Sequence, residues 1–535
     1  MKAQVENVSI DNQVYEFLNR MNIAGFLPQY SNSILPVSRK EVGEMLLHIT
    51  KQKHLLSTID LKYLNKFTGE FALEMKSEEH NSVLFLNEQS LSKYWNDVSS
   101  SNEKYLYTYN DSSTTMFAEF ISAFRYKNNY STEASFSTEQ HGGRIRGTFQ
   151  NRLGYYIATT NGTVFGNRNV ALNEPRLHQN FKFNNLNTPY FDETEAYVRA
   201  DAGLFQIEAG REFTNIGTGY SDKLLLSDNA SMFDMVRLDA QYKSVRFFYL
   251  QGKLEHDRTE FPGLTLAEDT SETKYLAMHR IQFPLFNVVQ IGMSEMIIYQ
   301  RFSPEWAYLN PFTFYKSLEH ALGDRDNSLM SFDIEYFPMK NFKLYGTMLI
   351  DDVYFSRIGT GWWGNEFAWQ CGCVRTNFFA IDNLDFVVEY TRIEPYVYSN
   401  RVYRNNYTNA DYSLGHHLQP NADEFFLQWN YRASEELRFW CSLVNERHGE
   451  NYQSAAQLIN TGGNILEGHR WFDSEKVFFL DGHLRTTQRV QIKIVYEPLM
   501  NYFIEMHYEW QQENKTWISE KTFSNYFTIL TRIEY

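Results

Sequence analysis

Cysteine is almost missing from this chain: three in 535 residues. That excludes a disulfide scaffold, and Cys371 and Cys373, two apart, have no second pair with which to complete a zinc site. Glycine (28) and proline (12) are scarce too, which excludes collagen-like and low-complexity chains. Basic residues are outnumbered, 50 against 65 acidic, and the net charge of −15 excludes the basic footprint of a nucleic-acid binder. No run approaches the ~18 consecutive apolar residues of a membrane helix; the densest stretch, 283–296, is broken by polar residues. Gly-x-Ser-x-Gly, phosphate-loop and His-Glu-x-x-His motifs are all absent from the sequence. What is abundant is aromatic: 42 Phe, 36 Tyr and 10 Trp, 16% of the chain.

The first 75 residues have helical spacing. Val14, Phe17, Leu18 and Met21 recur behind Asp11, a candidate N-cap. Ser38 and Glu41 form a capping box ahead of Val42, Met45, Leu46 and Ile49. Ser57 with Asp60 opens a third helix carrying Leu61, Leu64 and Phe67. From about residue 104 the period changes to two. In 502–510, Tyr502, Ile504, Met506, Tyr508 and Trp510 share one face and Phe503, Glu505, His507 and Glu509 the other. The same alternation marks 144–150, 235–242, 425–432 and the end of the chain, as in half-buried antiparallel strands.

Short links near 151–152, 201–203, 242–244, 434–436 and 498–501 alternate with long segments: 161–191, 213–233, 252–272, 300–327, 352–364, 395–421, 446–474 and 511–520. One plain rim and one elaborated rim is the build of outer-membrane barrels. The count from Thr115 to Tyr535 is about 18 strands, with both barrel ends and the helices on the short-turn side. A soluble propeller would show a repeat of ~40–50 residues, and the sequence has none. The expected layout is a periplasmic helical bundle over 1–80, a connection over 81–113 and a barrel over 114–535. Residues 1–6 carry no apolar signal segment, so an exported chain of this kind is expected to have had its signal removed. No cysteine near the start supports a lipid anchor.

Unusual motifs gather on the long-segment side: LLLSDNA (224–230) with FDMVRL (233–238), GDRDN (323–327), LIDD (349–352), EYTRIEPYVYS (389–399) and GHHLQPNADEF (415–425). With the stretch 15–26 and Pro36-Val37-Ser38-Arg39, this ordered set resembles the Wzi-type capsule-assembly family. The resemblance implies an 18-stranded outer-membrane barrel with a periplasmic helical bundle. Its implied function is lectin-like and non-enzymatic: holding capsular or related exopolysaccharide at the cell surface. The family often has a Trp-Gly-Pro-Gly type segment where this chain reads Asn215-Ile216-Gly217-Thr218-Gly219, which leaves the glycan open.

Candidates for glycan contact or loop bracing are Arg211, Asp228, Asn229, Asp234, Arg237, Asp324, Arg325, Asp326, Asn327, Asp351, Asp352, Trp362, Trp363, Glu389, Arg392, Glu394, Tyr396, His416, Asn421 and Asp423. Pyranose C–H faces stack on aromatics such as Trp306, Tyr308, Trp362, Trp363, Tyr396 and Tyr398, while hydroxyls bond to Asp, Asn, Arg and Glu. Each has a plainer structural role available. Asp324, Asp326 and Asn327 lack the Gly and distant Glu of a calcium loop and are expected to pair with Arg325. Asp351 and Asp352 are expected to accept loop N–H groups. His416 and His417, pointing to opposite faces of an extended chain, are not expected to hold a metal. Glu389, Arg392 and Glu394 suit paired charges of a polar barrel interior. No cofactor, metal or catalytic residue is expected. Expected partners are the polysaccharide, outer-membrane lipid or lipopolysaccharide, and a periplasmic protein at the helices. A diffusion channel, or a barrel subunit of a larger export complex, is the alternative reading.

Overall fold

The computed structural model describes residues 4–28, 30–75, 82–83, 103–255, 272–286, 288–455 and 457–535. Three helices open the chain: α1 (Val14–Ile23), α2 (Arg39–Thr50) and α3 (Thr58–Glu70). Helix α2 starts as predicted, with Ser38 accepting from the Glu41 N–H and the Glu41 carboxylate accepting from the Ser38 N–H at 2.9 Å. Ser57 caps α3 by accepting from the Asp60 N–H. The start of α1 differs: Gln13 is the cap residue and Asn12 Oδ1, not Asp11, takes the Val14 N–H at 2.8 Å. Their apolar faces meet through Val14, Leu18, Met21, Val42, Leu46, Ile49, Leu64 and Phe67, all buried.

Among the described residues, eighteen long antiparallel strands close a barrel. They are β1 (Thr115–Asn129), β2 (Ala134–Phe149), β3 (Leu153–Gly166), β4 (Tyr190–Asp201), β5 (Phe205–Arg211) and β6 (Asp234–Tyr242). Next come β7 (Val245–Leu254), β8 (Thr273–Leu285), β9 (Val289–Arg301), β10 (Asn327–Met339), β11 (Phe342–Asp352) and β12 (Glu366–Arg375). The last are β13 (Leu384–Ile393), β14 (Ala422–Arg432), β15 (Leu437–Glu450), β16 (His483–Leu499), β17 (Tyr502–Lys515) and β18 (Glu520–Glu534). Each pairs with its chain neighbours, and β18 returns to β1, from Tyr526 opposite Asn129 to Glu534 opposite Ile121. Pairing every edge leaves no open row of N–H and C=O groups, the condition for a sheet in lipid.

The alternation makes the barrel inside-out. On β17, Met506 and Tyr508 lie exposed on the outer face, while Glu505 points inward and pairs with Lys493 at 2.8 Å. The short links form one rim. At two of them Asn341 (φ 64) and Asn501 (φ 61) take the left-handed backbone that Asn tolerates better than branched residues. The opposite rim carries 167–189, 212–233, 302–326, 353–365, 394–421 and 451–482. The long segment expected at 511–520 is instead a turn at 516–519, because β17 runs to Lys515.

The helices seat on the short-link rim. Lys40 reaches Asp201 at 3.3 Å, Lys62 reaches Glu435 at 3.0 Å, and the Tyr63 hydroxyl donates to Ser434 O at 3.1 Å. Arg20 joins Asp60 of α3 to Asp385 of the barrel wall.

Candidate functional site

Two segments of the elaborated rim, 212–233 and 394–421, meet in the lumen. Asn215–Ile216, in the first, pairs antiparallel with Ile34–Leu35, which enters from the helical end. Leu224, Leu225 and Leu226 then pack with Val397, Tyr398, Tyr407 and Leu414 of the second segment, against the inward residues Leu250, Met278, Met296 and Ile298. Polar bonds fix the two to each other. The hydroxyls of Tyr398 and Tyr407 donate to Leu224 O and Leu225 O, each at 2.6 Å, and Ser227 N donates to Leu414 O at 2.8 Å. A buried apolar cluster therefore joins both segments to the inner wall from Met235 of β6 round to Ala422 of β14. Around it the wall carries charges in pairs: Arg280 on Asp333 (2.5 and 2.8 Å), Arg199 on Glu208 (3.0 Å) and Lys343 on Glu335 (3.0 Å). Breaking the Arg280 or Lys343 pair leaves an uncompensated buried charge, whereas Arg199 also has Asp239 at 3.7 Å.

Several sequence-predicted site residues brace this plug. Glu389, fully buried, accepts from Tyr220 N, Ser221 N, Ser221 Oγ and Tyr345 OH. Arg237 donates to Asp239 and to Pro36 O, deep in the lumen. Asp351 accepts the Tyr398 N–H at 2.6 Å, the loop-anchoring role expected of it. Asp228 lines an internal chamber with Asp222 and Arg432, and Asn229 donates to Ser413 O at 2.9 Å. Asn421 ties three segments, donating to Gly449 O and Asp481 O and accepting from Leu480 N. Tyr396 is buried, donating to Asn460 O.

Others stand apart. Arg211 and Asp234 pair at 2.9 Å on the outward face, as do Arg392 with Glu394 (2.5 Å) and Asp423 with Arg447. Asp326 is held by Arg301 at 3.0 and 2.9 Å and by the Tyr308 hydroxyl at 2.8 Å, so its partner is Arg301 and not the expected Arg325. Asn327 donates to Asn405 O, whereas Asp324, Arg325 and Asp352 are exposed.

The histidine pair also departs from expectation. The chain at 416–417 is not extended, and the rings stack at 4.5 Å instead of diverging. Asp222, His416 and His417 place one ligand atom each within 4.8 Å of one another. Their lone pairs and protons are already engaged: His417 sits between Asp222 and Glu424, 3.2 Å from each, and His416 Nδ1 accepts the Leu418 N–H. Burial opposes the charged form of His417, but the Glu424 and Asp222 carboxylates outweigh it and push this imidazole up to about 10. Burial, aided by its charged neighbour, pushes His416 down to about 4. The site is an ion-paired brace.

Above the plug, 451–482 and the ends of its flanking strands frame a cleft of about 540 Å³. Tyr452, Asn460, Phe472, Asp473, Lys476 and His483 line it. The His483 ring is sandwiched by Tyr452 (4.3 Å, 14°) and Trp517 (4.6 Å, 16°). Beside it Trp363 lies flat on His469 at 3.8 Å and edge-on to Tyr396, and Trp362 is covered by the Arg357 guanidinium. Of these, only Trp362, Trp363 and Tyr396 are candidates by sequence. The length of 446–474 was the only signal for the cleft, since its residues share no motif.

A family model for the capsule assembly protein Wzi matches residues 92–499. The chain belongs to the Wzi capsule assembly family. Every loop motif from 224 to 425 falls inside the matched range. Among solved structures, one is described as Wzi, an outer-membrane protein involved in group 1 capsule assembly in Escherichia coli and a carbohydrate-binding β-barrel. It superposes with a TM-score of 0.61 at 11% identity, covering 98% of this chain and 99% of that one. At that identity the likeness speaks for the fold, including the helices outside the matched range. OprD of Pseudomonas aeruginosa aligns with a TM-score of 0.44 and 9% identity over 78% of this chain and 95% of that one. No curated protein sequence matches the chain.

Proposed function

We propose that this Wzi-family barrel sits in the outer membrane with its helices in the periplasm, binds a surface polysaccharide on its outer loops, and does so without chemistry on the glycan. The observation that carries this reading is a buried apolar cluster joining the luminal segments to the inner wall beneath an aromatic-lined cleft. Aromatic rings at Tyr452 and Trp517, stacked on either side of His483, and at Trp363 offer flat faces for sugar C–H groups. Asn460, Asp473, Lys476 and Asp352 offer donors and acceptors for hydroxyls. The named candidates divide accordingly: Asp324, Arg325, Asp352, Trp362 and Trp363 are assigned to glycan contact. Asp228, Asn229, Arg237, Asp326, Asn327, Asp351, Glu389, Tyr396, His416 and Asn421 are assigned to holding the loops. Arg211, Asp234, Arg392, Glu394 and Asp423 are assigned to the outward rim, at the height of lipid headgroups.

The test is binding of purified protein, in detergent, to arrays of capsular and exopolysaccharides, repeated with Tyr452→Ala and His483→Ala. Retention of a polysaccharide, weakened by either substitution, is expected. Failure to bind any surface polysaccharide removes the proposal. Stable large conductance in a planar bilayer would replace it with a transport function.

A further inference from the structure

One elaborated-rim segment enters neither the lumen nor the space above it. On β8 and β9 the inward side is fixed by Leu276, Met278, Met296 and Ile298 in the luminal cluster, so Tyr275, Ala277, His279, Glu295, Ile297 and Tyr299 face out. That outward patch is buried nonetheless. Segment 302–326 folds back down the wall and covers it, with Tyr308 and Tyr315 packed on Tyr275, Ala277, Ile297 and Tyr299. Polar contacts clamp it. Glu295 accepts Tyr315 N at 2.8 Å and Lys316 N at 2.9 Å, and Ser328 donates to Glu319 at 2.5 Å. Arg301 holds Asp326, and Tyr249 donates to Tyr308 O at 3.3 Å.

The height of this flap matters. Bare outward apolar side chains on β9 run only from Val289 to Met293. At ~3.4 Å per residue and ~40° of tilt, that is about 10 Å of a lipid-facing band that is ~25 Å tall in barrels of this kind. The missing ~15 Å falls where the flap lies. Without it, the Glu295 carboxylate and His279 would meet hydrocarbon. The flap's own outer surface is apolar: Phe302, Trp306 and Phe312 are 80%, 83% and 78% exposed. Phe312 also stacks at 5.1 Å on Phe247, an outward residue of β7, so the flap runs on without a break into the barrel's apolar face. Its polar end points the other way, with Asp324 O accepting from Arg401 of the luminal segment 394–421.

We propose that segment 302–326 lies in the outer leaflet of the membrane, completing the lipid-facing band, with Phe302, Trp306 and Phe312 against lipid acyl chains. Belt continuity selects lipid as the occupant. A protein partner or a second copy would instead leave the band broken wherever it was absent.

The test places a nitroxide on the full chain at Trp306→Cys and, separately, at Phe312→Cys, in a background with Cys371, Cys373 and Cys441 changed to Ser. Protein migrating as a compact barrel on unheated gels is reconstituted into phosphatidylethanolamine–phosphatidylglycerol vesicles. Collision rates with oxygen and with a water-soluble nickel chelate are compared with those at Ile281→Cys on the bare wall and Asp324→Cys on the rim. Both flap labels are expected to match 281, with high oxygen and low nickel accessibility. Nickel accessibility like that at 324 overturns the proposal, and so does low accessibility to both agents, which would mean that protein covers the flap. As a second measurement free of labels, vesicles with brominated acyl chains should quench the parent more than Trp306→Phe. Equal quenching counts against insertion.

Discussion

The Glu389 anchor gives the sharpest test of how the luminal segment 212–233 is held. Its carboxylate takes four hydrogen bonds: from Tyr220 N (2.7 Å), Ser221 N (2.9 Å), Ser221 Oγ (2.6 Å) and Tyr345 OH (2.7 Å). In Glu389→Ala the hydroxyls can rotate toward other acceptors, but the two backbone N–H groups are held in place by the fold. Each orphaned buried donor costs about 1–3 kcal/mol, so the segment around 220–221 should lose roughly 2–6 kcal/mol of local stability. Local opening then becomes at least ~30-fold more frequent, since 1.4 kcal/mol is a factor of ten. Hydrogen–deuterium exchange of the peptide spanning 218–223, in detergent, reads this directly. Exchange should accelerate there and stay near the parent rate in 224–226, which the apolar cluster holds separately. Unchanged exchange at 218–223 would mean that Glu389 holds nothing there and that the plug rests on apolar packing alone.

Three further outcomes are expected. His417, raised to about 10 by its carboxylates, contributes stability that is full below its unfolded value near 6.5 and is lost as pH rises toward about 10. The melting temperature of His417→Gln should therefore fall furthest below the parent near pH 6 and approach it by pH ~10. Asp326→Asn removes the more buried of the two carboxylates on Arg301 and leaves Glu305 at 3.4 Å, so limited proteolysis should cut 302–326 sooner than in the parent. Truncating Tyr452, or His483 on which Tyr452 and Trp517 are stacked, should weaken polysaccharide retention about 2- to 10-fold, from a stacking contribution of ~0.5–1.5 kcal/mol, measured by surface plasmon resonance.

Much of the barrel is legible in the sequence because alternation is a direct consequence of the pleat. The outward Met506 and Tyr508 against the inward Glu505 are read from spacing, and so are the caps at Ser38 and Ser57. The paths of the long segments are not legible. Nothing in their composition separates 212–233, which fills the lumen, from 302–326, which drapes outside. The one trace lies in the wall beneath. Strand β9 places Glu295 among outward Ile and Met residues, a carboxylate on an apolar face that needs a cover. Alternation fixes the face of a side chain but says nothing of what a distant segment lays over it. Asp326 illustrates the same limit: adjacent charges in GDRDN suggest a local pair, while its partner Arg301 comes from the preceding strand.

The seating of the helices has a consequence for the order of assembly. Lys40, Arg20, Lys62 and Lys66 grip Asp201, Asp385, Glu435 and Glu497, acidic groups spread along three hundred residues of chain. The strands that carry them become neighbours of one rim only after the last strand has zipped onto the first. A long-range contact set of this kind forms late, since loop closure must come before its contacts do. The first residues of the chain therefore dock last, and an unclosed barrel has no complete seat for them.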